Sequence, residues 1–157
     1  ALYIGWSSCC VMVNTELHQH GEEFMQDLFI SSGVTVNIGL YNDSTDSLTD
    51  TSDVGDITTE PAGAAYSRQS DAATDFAASL VSGDVQIAGA SSTFDVSDST
   101  QTVDSVFTVI SFDSDLVSSD GGTDTDHLIF TNALDQSYDL SQFDSTIDLD
   151  PVKLTLS

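Results

Sequence analysis

The first thirty residues carry a hydrophobic pattern with helical spacing. Leu17, Phe24 and Leu28 recur on one face of a helix. The pattern predicts a helix over about residues 15–31. An uncharged and fairly apolar N-terminal arm, residues 1–14, precedes it, and its apolar runs fit either a strand or an arm that packs on a neighbouring molecule.

After Gly33 the hydrophobic period changes to two. Val34, Val36, Ile38 and Leu40 alternate with less apolar residues, which predicts a strand with one buried face. Residues 42–63 then form a long polar loop rich in turn-forming residues. Long loops without regular structure are usually functional or interfacial, so we expect this one to have such a role.

Further strand-like runs follow at short intervals, separated by turn-rich pieces. They lie at residues 85–88, 93–96, 103–112, 127–134, 146–149 and 152–156. Between residues 66 and 80 the alanines suit a helix, while the flanking residues suit an extended segment equally well. The pattern predicts a mainly β fold: an antiparallel sandwich or jelly-roll-like single domain over residues 15–157, with one N-terminal helix.

The charge of the chain excludes some partners. Of 157 residues, 26 are Asp or Glu and two are Lys or Arg, giving a formal charge of −24. A nucleic-acid or anionic-membrane binder needs a basic surface, so neither partner is expected. All but four of the acids are Asp, which favours turns and caps over helix interiors. The Asp-rich composition therefore agrees with a β-rich fold.

The same charge indicates that the protein comes from a high-salt environment. Unneutralised acids repel one another and weaken a compact state, but at molar salt the screening length falls to about 3 Å. We therefore interpret the composition as that of a protein from a hypersaline organism or its virus. The alternatives are an acidic domain from a non-halophile or a domain that relies on Ca²⁺.

Catalytic chemistry has little support in the sequence. The three histidines, His18, His20 and His127, are not part of any recognisable nucleophile or metalloprotease motif. We predict a protein that is not an enzyme and has no cofactor. Asp120, Asp124 and Asp126 are weak candidates for a cation site. In so acidic a chain a hydrated surface explains them better, so no metal site is predicted.

Five residues are candidates for an interface. Trp6, Phe24 and Phe29 are the large apolar residues of the arm and the predicted helix, and Trp6 fits either a core or an intersubunit anchor. Tyr66 and Arg68 lie two residues apart and would share one face of a strand. Arg68 suits a bidentate pair with a carboxylate that pins the long loop or bridges subunits. An exposed pair of little energy fits it as well.

One block of the sequence is more specific than these patterns. It begins with Leu28-Phe29 and Asn37-Ile38-Gly39-Leu40-Tyr41, and continues after the acidic loop with Thr59-Glu60-Pro61-Ala62-Gly63 and Tyr66-Ser67-Arg68-Gln69. Together with STFDVSD, DGG and HLIFTNAL downstream, the block resembles a family of small structural proteins of tailed viruses. The resemblance covers most of residues 15–157 and does not extend to the ALYIGWSSCC arm.

The resemblance implies a β-rich virion component, of the tail, minor-protein or capsid-decoration type. Combined with the acidic composition, it leads us to expect a turret, decoration or tail protein of a tailed virus of halophilic archaea, located in the virion. Its partners would be further copies of itself and other virion proteins. The alternative is a secreted halophilic adhesion or carbohydrate-binding β-domain.

Overall fold

The computed structural model describes residues 35–72, 77–81, 84–111 and 126–156, and within these ranges the chain is mainly antiparallel β. The predicted helix over 15–31 and the arm over 1–14 lie outside them. The described strands are β1 (Thr35–Tyr41), β2 (Gln69–Ala72), β3 (Ala77–Val81), β4 (Asp84–Ala88), β5 (Ser92–Asp95), β6 (Thr102–Ser111), β7 (Asp126–Asp139), β8 (Thr146–Leu149) and β9 (Lys153–Leu156). One short helix, α1 (Asp43–Asp46), and two 3₁₀ turns (Val54–Asp56 and Leu140–Gln142) join them.

The strands form a sandwich-like arrangement of antiparallel sheets. A four-stranded sheet has the order β2-β1-β6-β7, a three-stranded sheet has the order β3-β4-β9, and β5 pairs with β8. The mainly β prediction is confirmed, although β7 runs beyond the predicted residues 127–134. The ambiguous stretch over 66–80 contains β2 and β3, so its extended interpretation is the correct one where the chain is described.

The main core lies on the face of the four-stranded sheet that the alternating residues define. Val36, Ile38 and Leu40 of β1 point into it, as the period of two predicts. They meet side chains from β5 and the residue after it, from β6, and from the segments after β7 and β8: Phe94, Val96, Val103, Val106, Ile110, Leu140 and Val152. All of these side chains are buried, so this cluster is the centre of the sandwich.

The opposite face of the same sheet is also buried, which the alternation did not predict. Tyr41, Phe107 and Val109 form a second cluster there. Half-buried apolar residues cover it: Leu48, Val54 and Ile57 of the long loop, and Leu128 of β7. The expectation of one buried face on β1 is therefore wrong near Tyr41, because residues 42–63 fold back as a layer over the sheet. We call residues 42–63 the covering loop.

Gly39 allows this second cluster to form. Gly39 of β1 pairs with Phe107 of β6, and a Cβ atom at position 39 would overlap the Phe107 ring. The ring therefore lies across β1 in the space that a side chain would occupy. Because Phe107 is fully buried there, any residue larger than glycine would displace it.

Candidate functional site

Three residues of the motif meet at one carboxylate. Arg68 Nε donates to Glu60 Oε1 at 2.9 Å, and Arg68 Nη2 donates to Glu60 Oε2 at 2.7 Å. The Tyr66 hydroxyl donates to Glu60 Oε1 at 3.2 Å. We call Glu60, Tyr66 and Arg68 the loop clamp. The side chains of Arg68 and Glu60 are 31% and 22% exposed, so this bidentate pair is partly shielded from solvent.

A tight turn brings Tyr66 and Arg68 back to Glu60. The Tyr66 N–H donates to the Gly63 carbonyl at 3.2 Å, and the Ala65 N–H donates to both carboxylate oxygens of Asp98 at 3.1 Å. The Asp98 carboxylate lies so close to Gly63 that a Cβ atom at position 63 would overlap it. The Thr-Glu-Pro-Ala-Gly segment is thus shaped to reverse the chain around Asp98.

Tyr66 joins the clamp to the edge of β1. β2 pairs with β1 only as far as the Ile38–Gln69 pair, so it supplies no partner to the N–H of Leu40. The Tyr66 hydroxyl accepts that N–H at 2.9 Å, and the Tyr66 ring stacks on Phe94 with centroids 5.9 Å apart. Burial raises the pKa of Tyr66, so its hydroxyl stays protonated and donates to Glu60. The Tyr66 hydroxyl therefore accepts the hydrogen bond that a backbone carbonyl of a longer β2 would have accepted.

Arg68 joins the clamp to the opposite face of the sheet. Its guanidinium carbon lies 4.9 Å from the centroid of the Phe107 ring, a cation–π contact with the second cluster. Hydrogen bonding to Glu60 raises the pKa of Arg68, and the charge of Asp126 adds to the effect. The expectation that Tyr66 and Arg68 share a strand face is wrong, because β2 begins at Gln69 and the two side chains contact different clusters.

A second carboxylate, that of Asp46, links the start of the covering loop to its end. Asp46 Oδ2 accepts the Thr59 hydroxyl at 2.6 Å, and Asp46 Oδ1 accepts the Thr58 hydroxyl at 2.6 Å. Its carboxylate also accepts the backbone N–H groups of both threonines at 3.2 Å. Partial burial alone would raise the pKa of Asp46, but these hydrogen bonds outweigh it and lower the pKa. Asp46 therefore fixes the position of Thr59, which directly precedes Glu60 of the clamp.

A third carboxylate attaches α1 to the sheet. Asp104 of β6 accepts the Asp43 N–H at 2.6 Å and the Ser44 hydroxyl at 2.5 Å. Burial by itself would raise the pKa of Asp104, and the donors from Ser44 and Asp43 more than offset it, so the pKa is lowered. The covering loop is thus fastened to β6 at its start and to β1 at its end.

Sequence reasoning found Tyr66 and Arg68 but missed the carboxylates around them. Asp46, Asp98 and Asp104 carry no signal that separates them from the other acids of so acidic a chain. One local signal was available: Asn42 starts the run Asn-Asp-Ser-Thr, and its side chain caps α1 by accepting the Thr45 N–H at 3.0 Å. That signal could have revealed the short helix.

The other predicted site residues are placed as follows. Asp126 begins β7 and is half-buried. Trp6, Phe24, Phe29, Asp120 and Asp124 lie outside the described residues. Within the described ranges, no three His, Cys, Asp or Glu side chains form a group suited to a metal ion. In the same part of the chain, no helix is long and apolar enough to cross a membrane.

The hydrogen bonds of the clamp connect the covering loop to the rest of the fold. Three donors reach the Glu60 carboxylate, and the Tyr66 hydroxyl both accepts and donates a hydrogen bond within the fold. No family model, curated protein or solved structure matches this chain. The resemblance to virion proteins therefore stays a prediction from the motif residues of the sequence.

Proposed function

We propose that the protein is a non-enzymatic structural component of a tailed-virus particle, acting by self-assembly and by docking on other virion proteins. The observation that carries the proposal is the use of the motif. Thr59, Glu60, Gly63, Tyr66 and Arg68 all make contacts inside the fold, and together they fasten the covering loop to the sheet. We expect a structural protein to use its motif residues in this way, to stabilise its own fold.

The acidic surface supports the proposed host, a halophilic archaeon. In the described residues, Asp46, Asp98 and Asp104 accept hydrogen bonds from neutral hydroxyl and N–H groups. Hydrogen bonds of this kind do not rely on the few cations of the chain, and they tolerate molar salt better than exposed ion pairs do. The protein would therefore be a turret, decoration or tail protein that assembles in brine.

Sedimentation of the purified chain in molar salt tests the self-assembly. We expect a closed homo-oligomer, because symmetric homo-oligomers predominate among self-associating proteins. A stable monomer that binds sugars on a glycan array would contradict the proposal. It would favour the alternative, a secreted carbohydrate-binding domain.

A further inference from the structure

An open groove lies where the sandwich ends between β7 and the segment from β8 to β9. Its volume is about 520 Å³, within the range of roughly 300–1,000 Å³ that suits a bound ligand. We call it the edge groove. Its apolar lining comes from Leu40, Val106, Leu134, Ile147, Leu149 and Val152.

An extended bulge in β7 forms one wall of the edge groove. Val103 pairs with Tyr138 and Ser105 pairs with Ala133, so one residue of β6 faces four residues of β7, 134–137. The extra residues move out of the ladder, and Leu134 and Asp135 line the groove at this point. The register shift between β6 and β7 thus shapes this wall of the groove.

Both walls of the edge groove are strand edges. Successive side chains of a strand point to opposite faces, yet the consecutive residues 132–135 and 147–149 all line the groove. Among the described strands, β7 pairs with β6 alone and β8 pairs with β5 alone. An extended segment lying in the groove could therefore hydrogen-bond to a free strand edge while it buries side chains on the apolar lining.

The rim of the groove selects the kind of segment that fits. Asp135, Asp148 and Asp150 line it together with one cation, Lys153, so the rim keeps a net negative charge and would repel an acidic segment. Two stretches of fifteen residues lack any acid, residues 1–15 and 28–42, and the second supplies β1. Of the longer stretches outside the described residues, 112–125 contains four Asp. The arm is the remaining apolar and acid-free segment.

We propose that the arm, residues 1–14, of a second copy of this chain occupies the edge groove. Leu2, Ile4 and Trp6 alternate with Tyr3 and Gly5, so an extended arm would present these three apolar side chains on one face. The choice of a second copy rests on the proposed function, in which the protein self-assembles. Each arm then closes the open end of its neighbour's sandwich.

Trp6 is the single tryptophan of the chain, so tryptophan fluorescence reports on the arm directly. Ala133 is exposed and lines the groove, and Ser137 is exposed on the same strand outside it. In full-length protein, Ala133→Glu should shift the Trp6 emission to longer wavelength and raise its quenching by acrylamide several-fold. The matched control Ser137→Glu should change neither, and circular dichroism verifies that both variants are folded. Equal Trp6 emission in wild type and Ala133→Glu would overturn the proposal.

Mixing two variants tests whether the arm in the groove comes from a second copy of the chain. Ala133→Glu keeps its arm but has a blocked groove, whereas Trp6→Phe keeps an open groove and contributes no tryptophan signal. In the mixture, we expect the protection of Trp6 from acrylamide to return. No recovery, with a wild-type signal that is unchanged on dilution, would mean that each arm folds onto its own chain and would overturn the exchange between copies. Absence of the protein from virus particles would refute the proposed function without altering either fluorescence result.

Discussion

At the scale of single residues, the loop clamp shows why one arginine matters in a chain with so few cations. Arg68 combines a bidentate pair with Glu60 and a cation–π contact with Phe107. Both contacts need a planar guanidinium, since a lysine ammonium cannot form the two parallel hydrogen bonds or stack on the ring in the same way. The interaction is partly exposed, which limits its energy.

Replacing Arg68 with lysine tests this geometry. We expect Arg68→Lys to lower the free energy of unfolding by about 1 kcal/mol, because the charge is retained while the bidentate geometry is lost. Urea denaturation in high salt measures the change. Lys153 is the other basic residue and is exposed, so Lys153→Gln is the control and should change the stability little. Unchanged stability in Arg68→Lys would show that charge, and not the planar geometry of the guanidinium, is what Arg68 contributes.

At the scale of elements, the covering loop changes the architecture of the four-stranded sheet. Leu48, Val54 and Ile57 give the sheet a second buried face, and Asp46 closes the loop onto Thr58 and Thr59. Small apolar clusters under long loops are common satellites of a main core. Here the cluster depends on polar fastenings, since each of these apolar side chains is only half-buried.

The Asp46 fastening gives a pH-dependent prediction. Hydrogen bonds lower the pKa of Asp46 from its usual value near 3.8, so its contribution to stability is complete above that pH. The contribution disappears as the pH falls through the lowered pKa and the carboxylate takes up a proton. We expect Asp46→Asn to cost about 1 kcal/mol near neutral pH.

Urea denaturation of wild type and Asp46→Asn from neutral to strongly acidic pH measures this dependence. The difference between the two free energies of unfolding should shrink below about pH 3.8. Asp50→Asn, at an exposed position of the same loop, is the matched control and should show no such trend. A difference that stays constant at all pH values would contradict the assigned role of Asp46.

Most strands could be predicted from the sequence, whereas the packing of the covering loop on the sheet could not. Strand-like runs in the sequence located β1, β4, β5, β6, β8 and β9, and in β5 buried and exposed side chains alternate as the pattern predicts. Leu48, Val54 and Ile57 have no such period, and turn-forming residues surround them. Tyr66 and Arg68 were found as isolated residues of interest. Their common partner Glu60 could not be, because a contact between residues eight apart depends on the turn around Asp98.

At the scale of the whole molecule, we expect the charge of −24 to set the salt concentrations at which the fold is stable. Self-repulsion opposes the compact state, and salt screens it. Hydrogen bonds from neutral donors to carboxylates depend less on salt than exposed ion pairs do, so salt should add stability without removing the hydrogen bonds that hold the covering loop.

A salt titration tests this balance. We expect the melting temperature to rise continuously as potassium chloride is increased to molar concentrations, with chelator present throughout. Full stability at low salt without divalent ions would contradict adaptation to brine. A requirement for Ca²⁺ alone, at low ionic strength, would favour the calcium-dependent alternative.

The central claim is that the protein is a building block of a virus particle. Quantitative mass spectrometry of purified particles, from the culture that carries the gene, tests it most directly when combined with a particle reconstruction. We predict many copies per particle in a symmetric arrangement, with density for neighbouring chains against this fold. Particles that lack the protein, or its recovery as a free secreted monomer, would contradict the claim.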